Sequence, residues 1–261
     1  MDNSNILFII IIIICIILVS KILYIINKKK LEHYQQDMIP KNIFQTHKSM
    51  EYIETKPEIL DAVNSWKKFD NKFKYYFYND TESEKFIKDN FDTDVYMAYM
   101  KLPVPVMKAD LWRYCIVYFY GGIYADTDTV CKIDPELLLK NNSLLVLTPE
   151  NKVHLCQWIF AAPKKSPVLD TIIKLSVKKI LEKDVITGEH IIHELTGPAL
   201  FTEGIELYLK NNNLPIFDDK FKYVNYPNDC IYVFPPNFFH KNNIVHLFSG
   251  GHDDGWTKTS P

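Results

Sequence analysis

A chain of 261 residues with 47% hydrophobic and 14% aromatic content has enough apolar side chain for one sizeable folded domain, which excludes a disordered polymer. Its formal net charge of −2, with no basic stripe interleaved with aromatics, gives no footing for nucleic-acid binding. Five cysteines stand at 15, 115, 131, 156 and 230 without a CxxC pair, so the four beyond the N-terminus are open to being thiols or disulfides.

From the N-terminus, residues 6–19 are unbroken apolar sequence, and 22–26 extend the run past Ser20 and Lys21. About 21 helical residues at ~1.5 Å each reach ~32 Å, the hydrocarbon thickness of a bilayer, and Lys21 can snorkel to the head groups. No basic segment precedes the run and no small-residue cleavage site follows it. The expectation is therefore a single-pass membrane anchor over about 6–26 rather than a cleaved signal peptide. Lys28, Lys29 and Lys30 would keep the next domain cytosolic, whereas the sequons at Asn79 and Asn141 point to a lumen, so orientation stays open. Residues 27–37 are polar and read as a stem, and 38–261 as one globular domain.

In that domain, Pro40 leads into a first strand at 42–45. A helix is expected over 58–68, then an aromatic-rich strand over 72–78. Thr81 with Glu84 three residues on predicts a capping box for the next helix. After Pro103 and Pro105, a buried helix over 106–120 is halted by Gly121-Gly122. Short apolar strands follow at 123–125, 144–147, 158–161, 231–234 and 244–248, with helices over 168–181 and 199–210 among them. This alternation predicts an α/β sheet whose ligand sits outside the strand ends.

The chemistry concentrates in GGIYADTDTV, residues 121–130. Asp126 emerges where a strand stops, and alternation along an extended stretch would put Asp126 and Asp128 on the same side. Two carboxylates so placed are costly unless a cation or protons neutralise them, and a hard ion such as Mg²⁺ or Mn²⁺ takes oxygen ligands. An isolated DxD is more often a solvated acidic turn. On the preceding helix Asp110 and Arg113 share a face that is otherwise apolar, so each charge needs a partner. They form either a mutual ion pair or a crevice floor for a polyhydroxylated ligand. The glycine pair lets the chain turn sharply and would also allow a ligand close to the backbone.

KADLWRYCIVYFYGGIYADTD, residues 108–128, closely resembles the signature of DXD-containing sugar transferases of the glycosyltransferase family 32 type. IPKNIFQTH resembles that family's opening strand, SWKKFDNKFKYYFYND its second segment, and LTGPALF its TGP turn, in consistent order over about 38–256. The resemblance implies a GT-A-like fold, a mixed central sheet flanked by helices. It also implies metal-dependent transfer of a sugar from a GDP- or UDP-linked donor to a glycan, glycolipid or protein acceptor, with retention at the anomeric carbon. A membrane-bound Golgi or endomembrane enzyme is the implied setting. Carried over, Asp126 and Asp128 would hold Mn²⁺ or Mg²⁺ on the donor diphosphate. Asp110 and Arg113 would bind donor-sugar hydroxyls, with Asp110 also stabilising charge on the sugar ring. Gln45 and its neighbours would line the nucleotide pocket, and Tyr124, Thr196 and Gly197 would belong to the substrate site. His246 is a further metal-site candidate and Trp256 a lid residue. The sequence departs from the family in having Tyr78 where Trp is frequent, and Gln157 and Ser166 where Asn and His are common. Extra residues separate His246 from Trp256, so His246, His252, Asp253 and Asp254 all stay candidates to complete the metal site.

Two other classes fit parts of the pattern. Residues 126–130 match the DxDx[T/V] nucleophile motif of haloacid-dehalogenase-like phosphatases, with Asp126 forming a phosphoenzyme and Asp128 as acid/base. That motif normally opens its domain, and it leaves the Asp110/Arg113 helix without a task. A membrane-anchored carbohydrate-binding protein without turnover is the non-enzymatic alternative; the intact carboxylates weigh against it.

Overall fold

The computed structural model describes residues 38–140, 142–151, 153–214, 231–235, 238–239 and 243–247, together with Ile17, Leu18 and Lys21. Apart from Ile17, Leu18 and Lys21, the expected anchor lies outside them, as do the stem, Asn141, Cys230, His252, Asp253, Asp254 and Trp256. Among the described residues no helix is long and apolar enough to cross a membrane. The chain divides between Asp37 and Met38, and the unit from Met38 carries the sheets and the helices packed on them.

In chain order the unit contains β1 (Asn42–Thr46), α1 (Met50–Glu54), α2 (Pro57–Lys67), β2 (Lys74–Tyr78), α3 (Asp80–Asn90), α4 (Thr93–Lys101) and α5 (Pro105–Tyr120). Then come β3 (Gly122–Ala125), β4 (Thr129–Cys131), a 3₁₀ turn (Pro135–Leu138), β5 (Leu145–Leu147), β6 (Ile159–Ala162) and α6 (Pro167–Leu181). The described residues end with α7 (Ile191–Leu195), α8 (Pro198–Asn211), β7 (Ile231–Val233) and β8 (Ile244–His246).

One sheet has the order β2-β1-β3-β6-β5-β7, and β4 pairs with β8 in a separate two-stranded sheet. β2, β1 and β3 run parallel, and β6 is antiparallel to both β3 and β5. β5 therefore runs in the same direction as β3. The ends of β1, β2, β3 and β5 and the start of β6 consequently share one edge.

Helix α5 explains the sheet's position. Every residue from Ala109 to Val117 is buried, so this helix is enclosed on all sides rather than lying on a surface. It packs with Phe44, Tyr124 and Phe160 of the sheet and with Leu169, Ile172 and Phe201 of α6 and α8. A second apolar cluster, including Trp66, Phe73, Ile123 and Trp158, belongs to the other side of the sheet. On α2 the buried Ile59, Ala62, Val63 and Trp66 recur at helical spacing and make one apolar stripe.

Gly121 ends α5 at φ 71°, and a Cβ there would stand 2.5 Å from the Lys164 amide nitrogen and 2.7 Å from Pro40. Gly122, at φ 134°, leaves a Cβ no room beside the Asn42 carbonyl, 2.6 Å away. The close approach expected at these glycines is thus to the protein's own backbone.

The capping box also differs from expectation: Asn79 accepts from the Glu82 amide, and the Glu82 carboxylate accepts from the Asn79 amide, two residues before Thr81 and Glu84. Periodicity missed α1, α4, the 3₁₀ turn, β4 and α7, all short and lacking a long apolar repeat. Cys115, Cys131 and Cys156 are buried free thiols.

Candidate active site

Asp126 leaves β3 at the shared edge and turns at once, with the Thr129 amide donating to its carbonyl at 3.1 Å. The two aspartates therefore lie in a turn, not on an extended stretch, and tertiary contacts rather than alternation bring them together. The Asp126 amide donates to Trp158 O at 2.8 Å, and Gln45 Nε2 donates to the Asp126 carbonyl at 3.1 Å. On the far side, Thr129 faces His246 across the β4–β8 pair, and the Leu247 amide donates to the Asp128 carbonyl at 2.9 Å. His246 Nε2 then lies 3.1 Å from Asp128 Oδ1 and 4.0 Å from Asp126 Oδ2. One ligand atom from each of Asp126, Asp128 and His246 falls within 4.8 Å of the others. The Trp158 ring stacks on His246 at 4.8 Å with 3° between planes, which fixes the imidazole.

Beneath Asp126 lies a buried charge network. Arg113 Nη2 is 2.9 Å from Asp110 Oδ1 and 3.3 Å from Asp126 Oδ1, and Nη1 donates to Gln157 O at 3.2 Å. Its guanidinium also sits over the Tyr124 ring, 4.7 Å from the centroid, while the Tyr124 hydroxyl donates to Asp126 Oδ1. Asp110 accepts from Thr196 Oγ1 at 3.0 Å and Gln157 Nε2 at 3.3 Å, and Tyr114 donates to both Gln157 Oε1 and Thr196 O.

Side chains 4% and 2% exposed make Arg113–Asp110 a fully desolvated pair, in which each partner compensates a charge that would otherwise be costly. Burial pushes the Asp110 carboxyl up to about 7, against the pull of Arg113 and its two hydrogen-bond donors. Burial opposes the Arg113 charge, but Asp126, Tyr124 and Asp110 more than offset it and hold the guanidinium protonated. Asp126 is raised by burial, with Arg113 restraining the rise and Asp128 adding to it. At His246 burial disfavours the cation, but the hydrogen bond to Asp128 and the charges of Asp128, Asp126 and Glu150 outweigh it and raise the imidazole.

The expected site residues divide by position. Asp126, Asp128 and His246 converge. Asp110, Arg113, Tyr124 and Thr196 form their support and are buried. Gln45 is buried too, with its amide taken up by Asp126 O and the Tyr75 hydroxyl, so this side chain fixes the turn. Its neighbour Thr46 lines a cavity of about 240 Å³ with Asp80, Ser83, Tyr99, Lys108 and Ala109. Gly197 caps α8, where a Cβ would meet His193 Cα at 2.8 Å. Ser166 caps α6 and is buried. Tyr78 packs on Trp112 at 5.2 Å.

Sequence reading missed Trp158 and Glu150, and saw Gln157 only as a departure. Nothing in a lone Glu after Pro149 marks it. Its carboxyl is raised by burial first, with His246, Asp126 and Arg113 also acting on it.

The mixed α/β sheet shares its fold with the solved structure of PaToxG glycosyltransferase, at TM-score 0.51 and 15% identity, over 72% of this chain and 79% of that one. Residues 41–145 match the family described as "Glycosyltransferase sugar-binding region containing DXD motif". The initiation-specific alpha-1,6-mannosyltransferase of Candida albicans is 29% identical over 66% of this chain and 54% of its own length. An uncharacterized glycosyltransferase of Acanthamoeba polyphaga mimivirus is 27% identical over 57% and 59%. Inositol phosphoceramide mannosyltransferase 1 of Schizosaccharomyces pombe is 26% identical over 54% and 44%. The chain spans about half the length of the yeast initiation-specific relatives it matches.

Proposed function

We propose that this protein transfers a sugar, mannose first among candidates, from a nucleotide-diphosphate donor to a glycan or lipid hydroxyl, using a divalent cation. The convergence of Asp126, Asp128 and His246 within 4.8 Å carries this reading, in a chain with the DXD domain. Two carboxylates and one imidazole fit Mn²⁺, which accepts both oxygen and nitrogen ligands, and Mg²⁺ is the second choice. When bound, the ion supplies positive charge against the diphosphate leaving group.

The chain's own residues do the rest. Arg113 keeps Asp126 charged and oriented, Asp110 and Gln157 fix Arg113, and Trp158 holds His246 in place. The cavity beside Thr46 lies at the ends of the parallel strands, where an α/β sheet receives a nucleotide, and its 240 Å³ suits part of such a ligand. The names of the yeast relatives support mannose. Retention of anomeric configuration and membrane attachment through residues 6–26 belong to the same reading; they rest on the resemblance and on the apolar run. The phosphatase alternative asks Asp126 to be a free nucleophile, yet its Oδ1 already meets Tyr124 and Arg113.

A nucleotide-release screen of GDP- and UDP-sugars, with and without Mn²⁺ and an α-mannoside acceptor, tests the proposal. Mn²⁺-dependent release with at least one donor is expected. A phosphorylated Asp126 with no release would reject it.

A further inference from the structure

Glu150 is a fourth acidic side chain at this centre, and the supporting network does not use it. Because β5 runs parallel to β3, the chain leaves β5 on the edge that carries Asp126. One strand, β6, lies between them, so the two backbones are ~10 Å apart there at ordinary strand spacing. A tight hairpin fixes the segment: Cys156 N donates to Thr148 O at 2.9 Å, Pro149 bridges Leu155, and Glu150 N donates to His154 O at 2.9 Å. Asn151 Oδ1 accepts from the Val153 and His154 amides, and the Leu155 amide donates to Thr202 on α8 at 2.9 Å. The hairpin leaves the Glu150 carboxylate within electrostatic reach of Asp126, Arg113 and His246.

Glu150 Oε2 is buried and has no hydrogen-bond partner among the described residues. A carboxylate oxygen withdrawn from water without a donor is costly, so a donor from outside the described protein is expected to meet it. Sugar hydroxyls are such donors. The centre's other carboxylates are occupied: Asp110 by Arg113, Thr196 and Gln157, Asp126 by Tyr124 and Arg113, and Asp128 by His246.

We infer that Glu150 is a sugar-binding residue of this centre, its carboxylate accepting a hydrogen bond from a hydroxyl of the transferred sugar or of the acceptor. This rests on the transferase reading and adds a residue to it.

The test compares the full chain with Glu150→Gln, which keeps the shape, and Glu150→Ala. Binding of GDP, UDP, GDP-mannose and UDP-glucose is measured with Mn²⁺, alongside donor hydrolysis and transfer to an α-mannoside. Both variants should bind the sugarless nucleotides within about twofold of wild type. If the hydroxyl belongs to the donor, affinity for the nucleotide-sugar and its hydrolysis fall about tenfold or more. If it belongs to the acceptor, hydrolysis holds while the acceptor KM rises or transfer falls to the same degree. Wild-type binding, hydrolysis and transfer in both variants, with only a shifted Tm, would overturn the inference, leaving Glu150 as a hydrated structural group. Equal loss of sugarless nucleotide binding would also overturn it, since Glu150 would then serve the ion or the fold. A wild-type chain that binds no nucleotide removes the transferase reading and this inference together, whereas transfer indifferent to Glu150 removes the inference alone.

Discussion

Arg113 faces two carboxylates from inside the core, and its neighbours supply what one cation cannot. Gln157 and Thr196 donate to Asp110, and Tyr124 donates to Asp126. Removing the guanidinium leaves Asp110 buried and Asp126 half-buried without their counter-charge, so Arg113→Ala is expected to cost about 3–5 kcal/mol in urea unfolding. A loss under ~1 kcal/mol would show that water enters the site and takes over. Asp110 gives the pH dependence. Its carboxyl moves from an ordinary 3.8 up to about 7 in the fold, so between those values the native state binds more proton than the unfolded chain. Stability from this group is therefore full below pH ~4 and is lost as pH rises toward ~7. The wild-type stability minus that of Asp110→Asn should fall across that window; a flat or rising difference contradicts the assignment.

Among the elements, short turns decide where the chemistry lands. The turn out of α5 has two glycines because Lys164, Pro40 and Asn42 crowd the backbone there. Gly121→Ala combines a left-handed φ with a 2.5 Å clash and should destabilise by ~2 kcal/mol or more, read from the denaturation midpoint. The start of α3 separates the observed cap from the expected one. Asn79→Ala removes the side chain that accepts from Glu82 N and is expected to cost about 1 kcal/mol. Thr81→Ala should stay within ~0.5 kcal/mol. The reverse order would restore the Thr81 capping box.

For the whole molecule, the proposed ion-binding group joins two sheets: Asp126 and Asp128 follow the large sheet, and His246 comes from β8 of the small one. A cation held there ties together segments that are far apart in the chain, so it should stabilise the fold by mass action. At Mn²⁺ near 100 times its Kd the gain is ~2.7 kcal/mol, visible as a raised Tm that EDTA reverses. Asp128→Asn should remove that gain and cut Mn²⁺-dependent nucleotide release ~100-fold, while its metal-free Tm stays near wild type. A Tm that Mn²⁺ raises equally in both proteins would place the ion elsewhere.

Local signals were enough for much of this. Apolar runs and glycine or proline stops marked β1, β2, α2, α5, α6 and α8 to within a residue or two, because burial patterns and turn residues act over neighbouring positions. The Asp126/Asp128 pair was legible for the same reason: two like charges at the end of an apolar stretch are visible within one short segment. His246 and Gln45 were named only through the family resemblance, and how any group meets the pair was not legible. His246 reaches Asp128 through β4–β8 pairing, Gln45 turns inward to hold a carbonyl, and Glu150 arrives on a hairpin after β5. Such meetings depend on strand order and direction across the sheet, and those come from packing of the whole core around α5 rather than from any one segment. The residue types and the helix that bears Arg113 were set by sequence; the assembly of the proposed cation site, its buried support and an unpaired carboxylate oxygen was decided by the tertiary fold.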